Sequence, residues 1–194
     1  MTKIARRMGP KGSDIWLAML DATEAILSEE GYGALTSRRV AERIEVKQRL
    51  VYYYFYTMDE LIAETFRRLA ARELERFNVA LEAADSLRQV WDVCMNTTDT
   101  RLISEFMALA NRDGELREEV KAYIEEARRI QVAALSRAME GNPLEKTLAP
   151  VAAAIFATSA ALTVNREAML GIDFGHAEVT RAIAAVLDSL DHPH

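Results

Sequence analysis

The triplet Lys47-Gln48-Arg49, followed by the aromatic run Val51 to Tyr56 (VYYYFY), holds the side chains best suited to reading nucleic-acid bases. A glutamine amide sets a donor beside an acceptor and matches the major-groove edge of adenine, while an arginine fork matches the paired acceptors of guanine. Gln48 and Arg49 are therefore the candidate base readers, with Tyr53 facing the same way and Lys47 a contact to phosphate or base. Thr36, Ser37 and Arg38 open a helix, where free amides, hydroxyls and a cation suit a phosphate. For each basic residue the competing reading is a solvated surface charge. No comparable set supports catalysis. The chain has no glycine-rich phosphate loop and no nucleophile elbow, and His176, His192 and His194 lack acidic partners at ligand spacing. A metal site at His192 and His194 competes with a plain flexible tail, and the tail is the reading adopted. Cys94, the single cysteine, can form neither an internal disulfide nor a thiolate metal site alone. Neither an enzyme nor a cofactor nor a metal centre is expected.

The elements that must position these residues are legible from caps and period. Ser13 caps a helix with Asp14 in its first turn, and Ile15, Ala18, Met19, Ala22, Ala25, Ile26 and Leu27 recur at helical spacing until Gly31. Thr36 caps a short second helix whose apolar side is Val40, Ala41 and Ile44. VYYYFY has the strongest strand propensity in the chain. A lone strand would have no partner for its backbone groups and no second candidate exists, so Lys47 to Phe55 is read as helix. Val51, Tyr54 and Phe55 are assigned to the core. Thr57-Met58-Asp59-Glu60 has the form of a capping box, with Glu60 reaching back to the Thr57 amide. A long helix follows, carrying Ile62, Phe66, Leu69, Leu74, Phe77 and Leu81 on one side.

Everything downstream is helical by period. Apolar stripes run through Leu87, Val90, Trp91 and Cys94, then Leu102 to Ala110, then Leu116 to Leu135, closed at Gly141-Asn142-Pro143. Val151 to Val164 (VAAAIFATSAALTV) has almost no polar face, which predicts a helix covered on most sides. His176 to Leu190 closes the chain. The fold class is all-α, with about nine helices and no sheet.

Half of the residues are apolar and 28% are charged, the composition of a soluble globular protein. The net charge of −6 is unevenly placed: nine Lys/Arg stand against seven Asp/Glu from Met1 to Met58, and the acidic excess lies in the remainder. A basic first third on an acidic body suits one region that meets a polyanion and another that avoids it. Residues 1–12 carry four positive charges and no acid. They read either as an arm that follows a DNA groove or as a frayed terminus. Pro150 to Asn165 is too short to span a bilayer and the N-terminus lacks an apolar signal core, so a cytoplasmic protein without a membrane partner is expected.

Glu30-Gly31-Tyr32, Thr36, Val40-Ala41, Val46, Tyr52, Tyr54-Phe55 and Leu61 stand at the spacing of a helix-turn-helix that resembles the tetracycline-repressor (TetR/AcrR) family of bacterial transcription regulators. ALANRDGELREEV at 108–120 and GIDFGHAE at 171–178 are similar to family members in phrasing. The resemblance implies a helix-turn-helix DNA-binding domain with a basic arm over 1–57 and a helical ligand-binding and dimerisation domain over 58–194. It implies that Tyr52 approaches the DNA backbone. It also implies a homodimer through the last two helices, about 147–190, that binds a palindromic operator and releases it when a small molecule enters the body. Phe77, Trp91, Cys94, Met95, Phe106, Met107 and Tyr123 are the pocket candidates, each with plain core packing as its competing reading. Their character suits an apolar effector. Three residues depart from the family pattern: Glu45 stands for the turn glycine, Lys47 for the serine that caps the recognition helix, and Met58 for a phosphate-binding lysine. The first demands either another turn geometry or a strained non-glycine residue. These departures keep open an alternative, a helical adaptor of the same fold with weakened or lost operator binding.

Overall fold

The computed structural model describes residues 9–96 and 100–191. Among them are nine α-helices, three short 3₁₀ turns and no strand. Their contacts divide the chain into two compact units that interleave along the sequence.

The first unit takes in the described residues through Ala70 together with Arg101–Lys121. It holds α1 (Asp14–Glu29), α2 (Ser37–Arg43), α3 (Val51–Tyr54), the opening turns of α4 (Met58–Leu81), α6 (Thr100–Ala110) and the start of α7 (Gly114–Met139). This unit is larger than the segment 1–57, because Leu61, Ile62, Phe66 and Leu69 of α4 and Phe106 and Leu109 of α6 are buried within it. The helices α1, α2 and α4 begin where their caps dictate. The Ser13 side chain accepts from the Trp16 amide and the Thr36 hydroxyl from the Arg39 amide, so an otherwise orphaned donor is satisfied at each start. At the head of α4 the Glu60 amide donates to Thr57 Oγ1 at 3.0 Å, and the Glu60 carboxylate receives the Tyr56 amide at 2.6 Å. The box forms, with the Tyr56 amide in place of the expected Thr57 amide. The buried face of α1 is also displaced from its sequence reading. Trp16, Met19, Leu20, Thr23, Ile26 and Leu27 are buried, whereas Ile15 is 39% exposed. The ring of Trp16 stacks on Phe55 at 6.0 Å between centroids, and this large contact fixes the rotation of α1.

The second unit takes in Ala71–Thr100 and the chain from Ala122 onward. It contains the remainder of α4, α5 (Ser86–Met95), the remainder of α7, α8 (Pro150–Met169) and α9 (His176–Asp191). Its core joins Phe77 and Ala80 of α4, Leu87 and Val90 of α5, Ala127, Ile130 and Ala134 of α7 and Leu187 and Leu190 of α9. The expectation that α8 is covered on most sides is corrected. Within the chain α8 buries only Ala154 and Ala161, while Val151, Ile155, Phe156, Leu162 and Met169 are exposed. Uniform apolarity reports that a helix requires cover, and the protomer supplies it on one face only.

Candidate nucleic-acid interface

The turn between α2 and the next element resolves the missing glycine. Glu45 takes the left-handed conformation, φ 56°, and is the one non-glycine residue with positive φ among those described. It stands where a helix-ending glycine belongs: the Glu45 amide donates to the Glu42 carbonyl at 3.2 Å and the Val46 amide to the Ala41 carbonyl at 2.9 Å. The turn geometry is kept and a residue with a Cβ holds it.

After the turn, Lys47 precedes a 3₁₀ turn, Gln48–Leu50, that runs into α3. Lys47 makes no side-chain cap, as its chemistry requires. Val51, Tyr54 and Phe55 point into the unit and are buried, as read from sequence. The opposite side presents Lys47, Gln48, Arg49 and Tyr52 to solvent, with Tyr53 half-buried. The α2 residues are placed less simply. Thr36 is exposed, and its hydroxyl oxygen accepts the Arg39 amide as the helix cap. Ser37 is buried; its hydroxyl donates to Tyr52 Oη at 3.1 Å and accepts from Gln48 Nε2 at 2.8 Å. This bond tethers the nitrogen end of the Gln48 amide. Ser37 therefore orients two surface residues of the recognition element, a relation hidden in sequence because the partners lie 11 and 15 residues away.

The charges sort in the same way. Arg38 Nε donates to Glu42 at 2.8 Å, and that hydrogen bond raises the Arg38 pKa. Arg39 holds Glu30 through two nitrogens and Arg43 meets Glu29 at 2.7 Å, so both tie α2 to the end of α1. The hydrogen bond from Arg39 keeps the Glu30 carboxyl below its ordinary range. Lys11 pairs with Glu64 at 2.7 Å and sits 5.9 Å from the centre of the Trp16 ring. Among the described basic residues between Lys11 and Arg49, Lys47 and Arg49 are left without an acid. A further feature escaped the sequence reading. The Gly9 amide donates to the Tyr53 carbonyl at 3.0 Å, and a Cβ on Gly9 would fall 2.3 Å from the Tyr54 ring. The chain thus enters the unit against α3; Lys3, Arg6 and Arg7 lie outside the described residues.

The second unit holds an apolar cavity of about 360 Å³. Trp91 and Cys94 of α5 line it, with Gln131 and Leu135 of α7, Phe156 and Thr158 of α8 and Ile183 and Val186 of α9. Of the other pocket candidates, Phe77 is packed in the core of the same unit, and Met95 and Tyr123 are half-buried away from the lining. Phe106 and Met107 belong to the first unit, where Phe106 meets Phe66 edge-on at 5.2 Å between centroids. Of the seven, Trp91 and Cys94 line this cavity. Gln131, Thr158 and the α9 residues were missed, since helical period marks burial and says nothing about which buried residues border a void. Thr158 donates to Gln131 Oε1 at 3.1 Å and Gln131 Nε2 to Cys94 Sγ at 3.4 Å. Burial pushes the Cys94 thiol up to about 11 and, more strongly, raises the Tyr123 phenol.

Among the described residues no cluster of His, Cys, Asp and Glu is arranged to hold a metal, and no helix is long and apolar enough to cross a membrane. His176 meets Glu167 at 3.0 Å; His192 and His194 lie outside the described residues.

Residues 19–65 match a family model described as bacterial regulatory proteins, tetR family. The chain carries a TetR-family domain. Solved structures extend the likeness beyond that segment. A TetR transcription regulator from Haloarcula marismortui superposes with a TM-score of 0.73 at 18% identity, over 90% of this chain and 96% of that one. GusR from Salmonella enterica gives 0.67 at 18% identity over 93% and 96%. SmeT, the repressor of the Stenotrophomonas maltophilia multidrug efflux pump SmeDEF, gives 0.61 at 20% identity over 80% and 78%. At such identities the likeness is one of fold, and the fold is that of TetR-family regulators throughout. A comparison with curated proteins found no match.

Proposed function

We propose that this chain is a ligand-responsive repressor that reads a palindromic operator as a homodimer, with residues 1–57 as its DNA-binding head and 58–194 as its sensing and dimerising body. The observation that carries the reading is the exposed edge of the recognition element. Arg49 and Lys47 are uncommitted there, while the neighbouring cations are neutralised by acids of the same unit. Gln48 and Arg49 read bases, with Ser37 holding the Gln48 amide in place. Lys47, Thr36, Arg38, Tyr52 and Tyr53 contact the backbone or its flank. Ser37 contributes through a helix-start amide, because its hydroxyl is occupied, while the Thr36 hydroxyl accepts the Arg39 amide and keeps its own hydrogen for a phosphate. Arg38 must exchange Glu42 for a phosphate, which an exposed pair allows at small cost. The apolar cavity of the second unit takes a small effector, and binding there competes with operator binding by linkage.

Selection from a random-site DNA library tests this directly. The wild-type chain is expected to enrich a two-fold symmetric site. Arg49→Ala weakens that site by about 1–3 kcal/mol and relaxes one base position, whereas Arg38→Ala weakens all sequences alike. Equal loss on every sequence for Arg49→Ala would reduce Arg49 to a phosphate contact. No enrichment of any site would replace the repressor with the alternative, a helical interaction protein on the same fold.

A further inference from the structure

Reading the cavity as an effector site leaves the chemistry of its occupant open, and one buried group constrains it. Nη1 of Arg128 is shut off from solvent and has no hydrogen-bond partner. An uncompensated guanidinium nitrogen in that position forfeits its hydration without recovering a bond. Arg128 precedes Gln131 by one helical turn on α7 and Leu135 by two, so the three share a stripe, and both Gln131 and Leu135 line the cavity. Its charge also reaches Cys94, another lining residue, where it opposes the effect of burial on the thiol. Glu73, a buried acid of this unit, is paired with Arg76 at 2.8 Å. Arg128 thus brings positive charge near the end of the cavity marked by Cys94 and Gln131, although its guanidinium lies behind the lining rather than in it. Polar groups gather there too, since Thr158 bonds Gln131 and Asn165 Nδ2 donates to the Cys94 carbonyl at 3.5 Å. The rest of the wall, from Leu87 to Val179 and Ile183, is apolar.

We propose that the cavity binds a small amphipathic monocarboxylate, its head taken by Arg128 beside Gln131 and its apolar body laid along α8 and α9. This rests on the effector-site reading given above. The guanidinium turns on its flexible stem to meet the head, and a charged hydrogen bond replaces the orphaned nitrogen. A cavity of about 360 Å³ suits a chain or ring system of modest size.

Titration calorimetry of the full chain with decanoate, 1-decanol and decyltrimethylammonium tests the proposal near neutral pH. Decanoate is expected to bind about tenfold or more tightly than decanol, and the ammonium more weakly than either. Arg128→Gln should bring decanoate down to the level of decanol and leave decanol unchanged, while Arg128→Lys retains part of the preference. Equal binding of decanoate and decanol to the wild-type chain, or tighter binding of the ammonium, overturns the acidic head and leaves the effector cavity standing. Binding of none of the three removes the effector cavity itself, and this inference with it. The wild-type comparison needs no variant, so a folding defect in Arg128→Gln cannot obscure the outcome.

Discussion

Glu45 shows what a single residue can carry against its own preference. A left-handed conformation costs an L residue about 1–2 kcal/mol, and glycine avoids that cost while losing part of the gain to its greater freedom in the unfolded chain. Glu45→Gly should therefore raise stability by about 0.5–1 kcal/mol, and Glu45→Val, stiff at Cβ, should lower it by about as much or more. Urea unfolding of the three proteins measures both; a destabilised Glu45→Gly would show that the Glu45 side chain contributes more than the strain removes. The sequence revealed the conflict, a missing glycine in a turn, and could not decide between a new geometry and a strained residue. The same limit applies to Ser37. Its type and its place at a helix start were legible, but the Gln48 and Tyr52 bonds that bury it join residues from different elements. Arg38 and Arg39 look alike in sequence, and only the fold decides that one pairs within its helix and the other with Glu30 of α1.

Elements were legible where a local rule and the tertiary context agree. VYYYFY favours a strand locally, yet Val51–Tyr54 is helical, and no strand among the described residues could satisfy an extended backbone there. The α1 face was read at Met19, Ala22, Ile26 and Leu27 and missed at Trp16 and Leu20 for a physical reason: Ile15 and Ala25 fit the period as well, and the Trp16–Phe55 contact favours the other choice. Caps were read well, being local chemistry. At the start of α4 the Thr57 hydroxyl and the Glu60 carboxylate satisfy one amide each, at 3.0 and 2.6 Å. Thr57→Ala should cost about 1 kcal/mol of stability, and Thr57→Ser should recover most of it. Calorimetric melting compares them; an alanine variant as stable as the wild type would mean that solvent caps α4 just as well.

At the scale of the molecule, the candidate pocket residues scattered over two units because periodicity identifies buried positions without assigning them to a core. Two of the seven, Trp91 and Cys94, reached the cavity, both on α5. The apolar length of α8 was legible as a demand for cover, and the chain leaves part of that demand unmet: Val151, Ile155 and Leu162 are exposed, as are Phe156, at 65%, and Val186 of α9, which also border the cavity. Exposed apolar side chains in this number on one helix point to an association site. The proposed cover is a second copy, whose own α8 and α9 present the same residues and so complete a self-complementary, two-fold interface. Phe156→Asp would place a charge in that interface, and its desolvation has no compensating partner across the axis, where the same aspartate recurs. Sedimentation equilibrium should find the wild-type chain dimeric at micromolar concentration and the variant monomeric with unchanged helicity. Operator affinity should fall by roughly 10²–10⁴-fold as the second head loses its tether, while affinity for an isolated half-site is retained. A wild-type chain that sediments as a monomer, or a Phe156→Asp variant that stays dimeric, would move the interface away from α8 and leave its apolar face to another partner.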